Sequence, residues 1–165
     1  MTSEHLLHTI PPIYDGNSKI LILGSFPSVK SREVSFYYGH PQNRFWRVLA
    51  AVLGCAVPSS NEEKTALLHS HNIALWDVIK SCDIVGSSDS SIKNVVPNDI
   101  GAILSSCGIR QIYSNGKTSE RLFNKYIKDT VGRDTVALPS TSPANASYNL
   151  ERLTDSWSVI KNHIR

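Results

Sequence analysis

A chain of 165 residues, 41% of them apolar, can bury one proper core but not two comfortable ones, so a single domain over 1–165 is expected. Its formal charge of +3 is only a weak pointer to a polyanionic partner, and Cys55, Cys82 and Cys107 form no CxxC pair that could hold a zinc ribbon or an iron–sulfur cluster, so they read as small core thiols in a reducing compartment. Met1 to Ile10 lacks a basic segment followed by an apolar one, and no apolar run approaches membrane-spanning length, so a soluble cytoplasmic protein with no membrane partner is expected.

Residues 1–18 are polar and proline-containing and read as a segment wrapping the surface. The first strand is predicted over 20–24, continuously apolar as a buried parallel strand should be. A helix follows from near Asn43, with Phe45, Trp46, Leu49, Val52 and Leu53 at helical spacing and Gly54 as its stop. Residues 61–70 read as a second helix, and Ile73 to Trp76 as the second strand, ending at Asp77. The Ser-, Asp- and Asn-rich stretch 81–96 reads as a long surface loop. Asn98-Asp99 then cap a helix carrying Ile100, Ile103, Leu104 and Cys107, closed by Gly108. Gln111 to Tyr113 form the third strand, followed by a helix with Leu122, Phe123, Tyr126 and Ile127. A fourth strand covers 135–138, and a last helix sets Leu150, Leu153, Trp157, Ile160 and Ile164 on one stripe. This alternation predicts an α/β fold: a three-layer α/β/α sandwich around a central, mainly parallel four-stranded sheet.

In such a sheet ligands bind beyond the carboxyl ends of the strands. The loop after the first strand, Ser25-Phe26-Pro27-Ser28, and the loop after the fourth, Pro139-Ser140-Thr141-Ser142-Pro143-Ala144-Asn145, are therefore expected to face one cleft despite their separation in sequence.

The residues Leu23-Gly24-Ser25-Phe26-Pro27-Ser28 and Phe36-Tyr37-Tyr38-Gly39-His40-Pro41-Gln42-Asn43-Arg44-Phe45-Trp46, with Ala74-Leu75-Trp76-Asp77-Val78-Ile79 and Leu138 to Asn145 further on, carry a family likeness. Through them the chain, and above all the stretch from Ile20 to Leu53, resembles the uracil-DNA glycosylase superfamily. The similarity is greatest to the hypoxanthine-DNA (deoxyinosine) glycosylase branch. Two positions depart from the mismatch-specific relatives. Phe26 stands where they carry a catalytic Asn, and Ser140 where relatives place the His or Asn that helps stabilise the departing base. The resemblance implies that Asn43 takes over as the catalytic amide, its carbonyl orienting a water, with Ser140 beside it.

It also implies a DNA partner containing deaminated bases, and a monomeric enzyme needing neither metal nor organic cofactor. Extruding a base requires a pocket that stacks its ring and reads its edge. Tyr38 is the expected stacking platform, with Phe26 and Phe36 as walls, His40 as a base contact, and Asp77 as an acceptor for the N1–H of hypoxanthine. Ser25, Ser28, Ser140, Thr141 and Ser142 are expected to meet phosphate, with Ala144 in the wedge position and Asn145 reaching the orphaned base. The residues also admit plainer roles. Asn43 and Asp77 stand where caps are needed, His40 precedes a proline as turn histidines do, and Arg44, Arg47, Lys117 and Arg121 read mainly as solvated charges. The expected activity is removal of hypoxanthine, with uracil second, leaving an abasic site. A uracil or mismatch glycosylase and a catalytically silent DNA-binding relative are the alternatives.

Overall fold

The computed structural model describes residues 2–165. Its centre is a four-stranded parallel sheet formed by β2 (Ile20–Gly24), β3 (Ile73–Asp77), β6 (Gln111–Asn115) and β7 (Thr135–Leu138), in the order β3-β2-β6-β7. Every residue of β2 is buried. That is why its sequence is apolar without alternation: both faces of the strand are covered. Ile20 and Ile22 point to one face, where α2 (Phe45–Leu53) and α6 (Leu150–Trp157) bring Phe45, Leu49, Leu153 and Trp157. Leu21 and Leu23 point to the other, against Ile100 and Ile103 of α4 (Ile100–Ser106) and Leu122 and Phe123 of α5 (Lys117–Tyr126). Helices thus lie on both faces, as the sequence predicts. Helix α3 (Asn61–Ser70) occupies the predicted range, capped by Ser60. Helix α2 ends at Gly54, whose φ of 70° supplies the left-handed stop.

Four expectations need correction. The stretch 81–96 is not a loop, and residues 1–18 do more than wrap the surface. β1 (Glu4–Leu7), β4 (Ile79–Ile84) and β5 (Lys93–Pro97) make a second, antiparallel sheet in the order β1-β4-β5. Composition hid it, because the polar residues of these strands pair across the outer face: Asp83 accepts from His5 at 2.8 Å and from Asn94 at 2.6 Å. The other face, with Ile79, Cys82 and Ile84, joins the core beneath the main sheet. The last helix stops at Trp157 and tightens into a 3-10 turn, Ser158–Asn162, although Ile160 and Ile164 stay buried as predicted. Cys55 is exposed rather than a core thiol, and Cys107 is half-buried; only Cys82 is fully buried. No helix among the described residues is long and apolar enough to cross a membrane.

Candidate active site

From β2 the chain crosses to β3 on one side and later to β6 on the other, which opens a crevice beyond the carboxyl ends of these strands. Gly24 and Asp77 end β2 and β3 as register partners, and Asn115 and Leu138 end β6 and β7 in the same way. A cavity of about 590 Å³ lies over these ends, and both predicted loops, Ser25–Ser28 and Ser140–Ala144, line it. The strand-end rule therefore located the cleft correctly.

Asn43 enters the cavity from the turn before α2. Its Oδ1 accepts the N–H of Phe45 at 3.0 Å and the hydroxyl of Thr141 at 2.9 Å. The Phe45 N–H can only donate, so the oxygen must face it, and the Asn43 amide is fixed in one orientation. Thr141 is fully buried; its hydroxyl also accepts from Asn115 Nδ2 at 3.0 Å, and its N–H donates to Asn115 Oδ1 at 3.1 Å. Both lone pairs of the Asn43 carbonyl are thus engaged within the protein. The atom left for a ligand is Nδ2, which has no hydrogen-bond partner among the described residues. The plainer reading of Asn43 holds as well, since it satisfies a free N–H at the start of α2.

Arg44 is not a solvated charge. Its N–H and guanidinium donate to the carbonyls of Thr141 (3.0 Å, main chain), Ser142 (2.8 Å), Asn145 (3.1 Å) and Tyr148. This fork ties the loop after β7 to the start of α2.

Asp77 is 4% exposed and borders the cavity. Its Oδ2 lies 2.7 Å from His8 Nε2, and its Oδ1 packs against Gly24, where a Cβ would come within 2.4 Å of it. The Tyr38 ring stacks on Phe45, with centroids 4.1 Å apart and planes 17° from parallel, and it also borders the cavity. Its hydroxyl is buried without a partner, and burial pushes the phenol far above its ordinary range, with the Asp77 charge adding to the effect. Phe26 lines the cavity, with the Arg32 guanidinium 5.6 Å from its ring centre.

Phe36 is not a wall of the cavity. It packs instead against Trp46 and Tyr37 under the Lys64 ammonium, because the chain reverses at Tyr38 (φ 53°) and turns successive aromatic rings to different sides. His40 sits at the exposed rim, its Nδ1 accepting the N–H of Gln42. Ser28 caps the short helix α1 (Val29–Val34), and Ser25 donates to Asp89 at 3.4 Å. The Ser140 hydroxyl accepts the N–H of Ser142 at 3.1 Å and keeps its proton for a further acceptor. Ala144 is exposed at the mouth of the cavity. The Asn145 amide is folded back onto the Ser140 carbonyl at 3.0 Å, so it braces the loop.

The sequence reading missed three contributors. Asn115 ends a strand as Asp77 does, and the same rule applied to β6 would have found it. The structural role of Arg44 and the approach of His8 carry no local signal.

The sequence matches the Uracil DNA glycosylase superfamily over residues 11–161. The chain belongs to this superfamily. Among its relatives are two archaeal proteins, each named hypoxanthine DNA glycosylase. The one from Methanosarcina acetivorans is 34% identical over 93% of this chain and 96% of its own length. The one from Methanosarcina barkeri is 36% identical over 90% and 93%. The solution NMR structure of a candidate uracil DNA glycosylase from Methanosarcina acetivorans superposes with a TM-score of 0.79 at 33% identity, covering 93% of this chain and 95% of that one. The fold is thus shared over most of both chains.

Proposed function

We propose that the chain is a monofunctional DNA glycosylase. It hydrolyses the N-glycosidic bond of deaminated bases in DNA, hypoxanthine ahead of uracil, and leaves an abasic site. The reading takes the whole chain as one domain, acting as a cytoplasmic monomer. The observation that carries it is that Asn43 and Tyr38, from the segment between α1 and α2, and Asp77, from the end of β3, border one cavity. The names of the curated relatives support the same substrate.

Breaking the bond gives the sugar oxocarbenium character and loads negative charge onto the base. The reaction needs a held water and donors facing the base more than it needs a strong general base. Asn43 holds the water oxygen through Nδ2–H, leaving the other lone pair of the water for C1′. Ser140, whose hydroxyl proton is free, serves the base side. The base stacks on the open face of Tyr38, and the Asp77 carboxylate accepts N1–H of hypoxanthine. Adenine has a bare acceptor at N1, so the same carboxylate rejects it. No lysine lines the cavity among the described residues, which favours direct hydrolysis over a Schiff base. Ser25, Ser28, Ser142 and the main chain around Thr141 are the proposed phosphate contacts.

The test is incubation with labelled duplexes carrying inosine, uracil, xanthine or adenine, followed by alkali. Scission at inosine first and uracil second is expected. Binding to all four duplexes without scission would identify a silent relative and overturn the proposal.

A further inference from the structure

Asp77 is a buried carboxylate whose side chain has one hydrogen-bond partner among the described residues, the Nε2 of His8 at 2.7 Å. The two side chains are 6% and 1% exposed. A carboxylate can only accept, so Nε2 carries the proton. The rest of the imidazole is enclosed by rings: Phe26 at 6.0 Å, Tyr37 at 6.2 Å and Trp76 at 6.4 Å between centroids. These rings exclude water from the pair and offer the carboxylate no second donor. His8 reaches this place because β1 pairs with β4 and the His8 N–H then donates to the Lys80 carbonyl at 2.7 Å. The second sheet thus has a consequence for the cleft: its first strand delivers an imidazole behind the strand-end acid.

We infer that His8 is the positioning residue for base recognition: by holding Asp77 Oδ2, it keeps the carboxylate an acceptor with Oδ1 free beside Gly24, and so sets the discrimination of hypoxanthine from adenine. The inference rests on the reading of Asp77 as the acceptor for N1–H. Without that donor, Oδ2 is a buried acceptor with no partner, and nothing holds the carboxylate plane in place. A carboxylate that turns no longer presents Oδ1 to N1–H, so hypoxanthine loses a contact that adenine never makes. The imidazole never touches the base in this account; it fixes which hydrogen-bonding face Asp77 presents.

The experiment measures single-turnover excision of hypoxanthine and adenine, and affinity for the inosine duplex, in wild type, His8→Gln, His8→Leu, His8→Asn and Asp77→Asn. Gln can place an N–H near the position of Nε2, whereas Asn is one methylene too short and Leu has no donor. His8→Leu and His8→Asn should lower the hypoxanthine-to-adenine rate ratio by about tenfold or more, the effect of losing a hydrogen bond to a charged group. His8→Gln should stay within about threefold of wild type on the same scale. Should His8→Leu fail to fold, the contrast between Gln and Asn decides the matter, since both keep a polar amide. A collapsed ratio in Asp77→Asn with an unchanged ratio in His8→Asn and His8→Leu overturns the role of His8. An unchanged ratio in Asp77→Asn overturns instead the reading of Asp77 on which it rests.

Discussion

The hydroxyl of Thr141 donates to Asn43 Oδ1 at 2.9 Å, joining two residues 98 positions apart across the mouth of the cavity. Together with the Phe45 N–H it occupies the Asn43 oxygen and turns Nδ2 toward the ligand side. Asn43→Ala should therefore lower single-turnover excision at inosine by at least about a hundredfold, the scale of a lost positioning group. Asn43→Asp is the sharper variant. One carboxylate oxygen can still accept from Phe45 and Thr141, but the second offers no proton to a water, so the loss should match that of Ala. An active Asn43→Asp enzyme would return the water-holding role to the oxygen. Thr141→Val, which removes the hydroxyl and nearly keeps the shape, should cost about tenfold in rate through the loosened amide, with duplex affinity little changed.

Arg44 should act on the loop and not on the chemistry. Its guanidinium satisfies the carbonyls of Ser142, Asn145 and Tyr148, which no single ammonium can reach together. Arg44→Lys is expected to raise amide exchange through residues 140–148 and to weaken binding of an inosine duplex by about tenfold, while the rate at saturation falls less. Exchange in that loop equal to wild type would show that the fork does not hold it.

Gly24→Ala tests the packing of the strand ends. The backbone of Gly24 is unremarkable in φ; what matters is the missing side chain, because a Cβ would lie 2.4 Å from Asp77 Oδ1 and 3.1 Å from the Tyr38 hydroxyl. The carboxylate is pinned on its other side by His8 and cannot retreat without breaking that bond. Overpacking of this kind costs roughly 1–3 kcal/mol of stability. Excision at inosine should fall further than the melting shift alone explains, since the displaced group is the proposed base reader. A stable variant with wild-type rates would place Asp77 Oδ1 outside the recognition step.

Much of this arrangement was legible in the sequence, for identifiable reasons. The main sheet announced itself because β2 is buried on both faces and so is apolar throughout. The cleft followed from the rule that ligands bind beyond parallel strand ends. Asn43, Asp77, Tyr38 and the Ser140 loop do converge there. What stayed hidden depends on contacts made at long range. Most of β4 looked like a loop because Ser81 and Asp83 open a stretch rich in Ser, Asp and Asn, yet Asp83 is matched by His5 and Asn94 from other strands, which no window of sequence reveals. Phe36 was misplaced because nothing local shows that the backbone turns left-handed at Tyr38 and sends neighbouring rings apart. His8 was invisible as a site residue because its partner lies 69 positions away.

Tyr38 separates the ring from its hydroxyl. The ring is stacked on Phe45 at 4.1 Å, a contact that does not involve the oxygen. The hydroxyl is buried without a hydrogen bond, and Asn115 beside it has committed its amide to Thr141. An unpaired buried hydroxyl costs roughly 1–3 kcal/mol. Tyr38→Phe removes that cost and keeps the stacking face, so the variant should melt higher than wild type and excise hypoxanthine within about threefold of it. Tyr38→Ala keeps neither platform nor packing, and should lose at least about tenfold in excision on stacking grounds alone. The comparison is informative because the two changes share the loss of the oxygen. If Tyr38→Phe were as slow as Tyr38→Ala, the hydroxyl would be a ligand-binding group, and its unpaired state in the free protein would mark the place where the substrate supplies the partner.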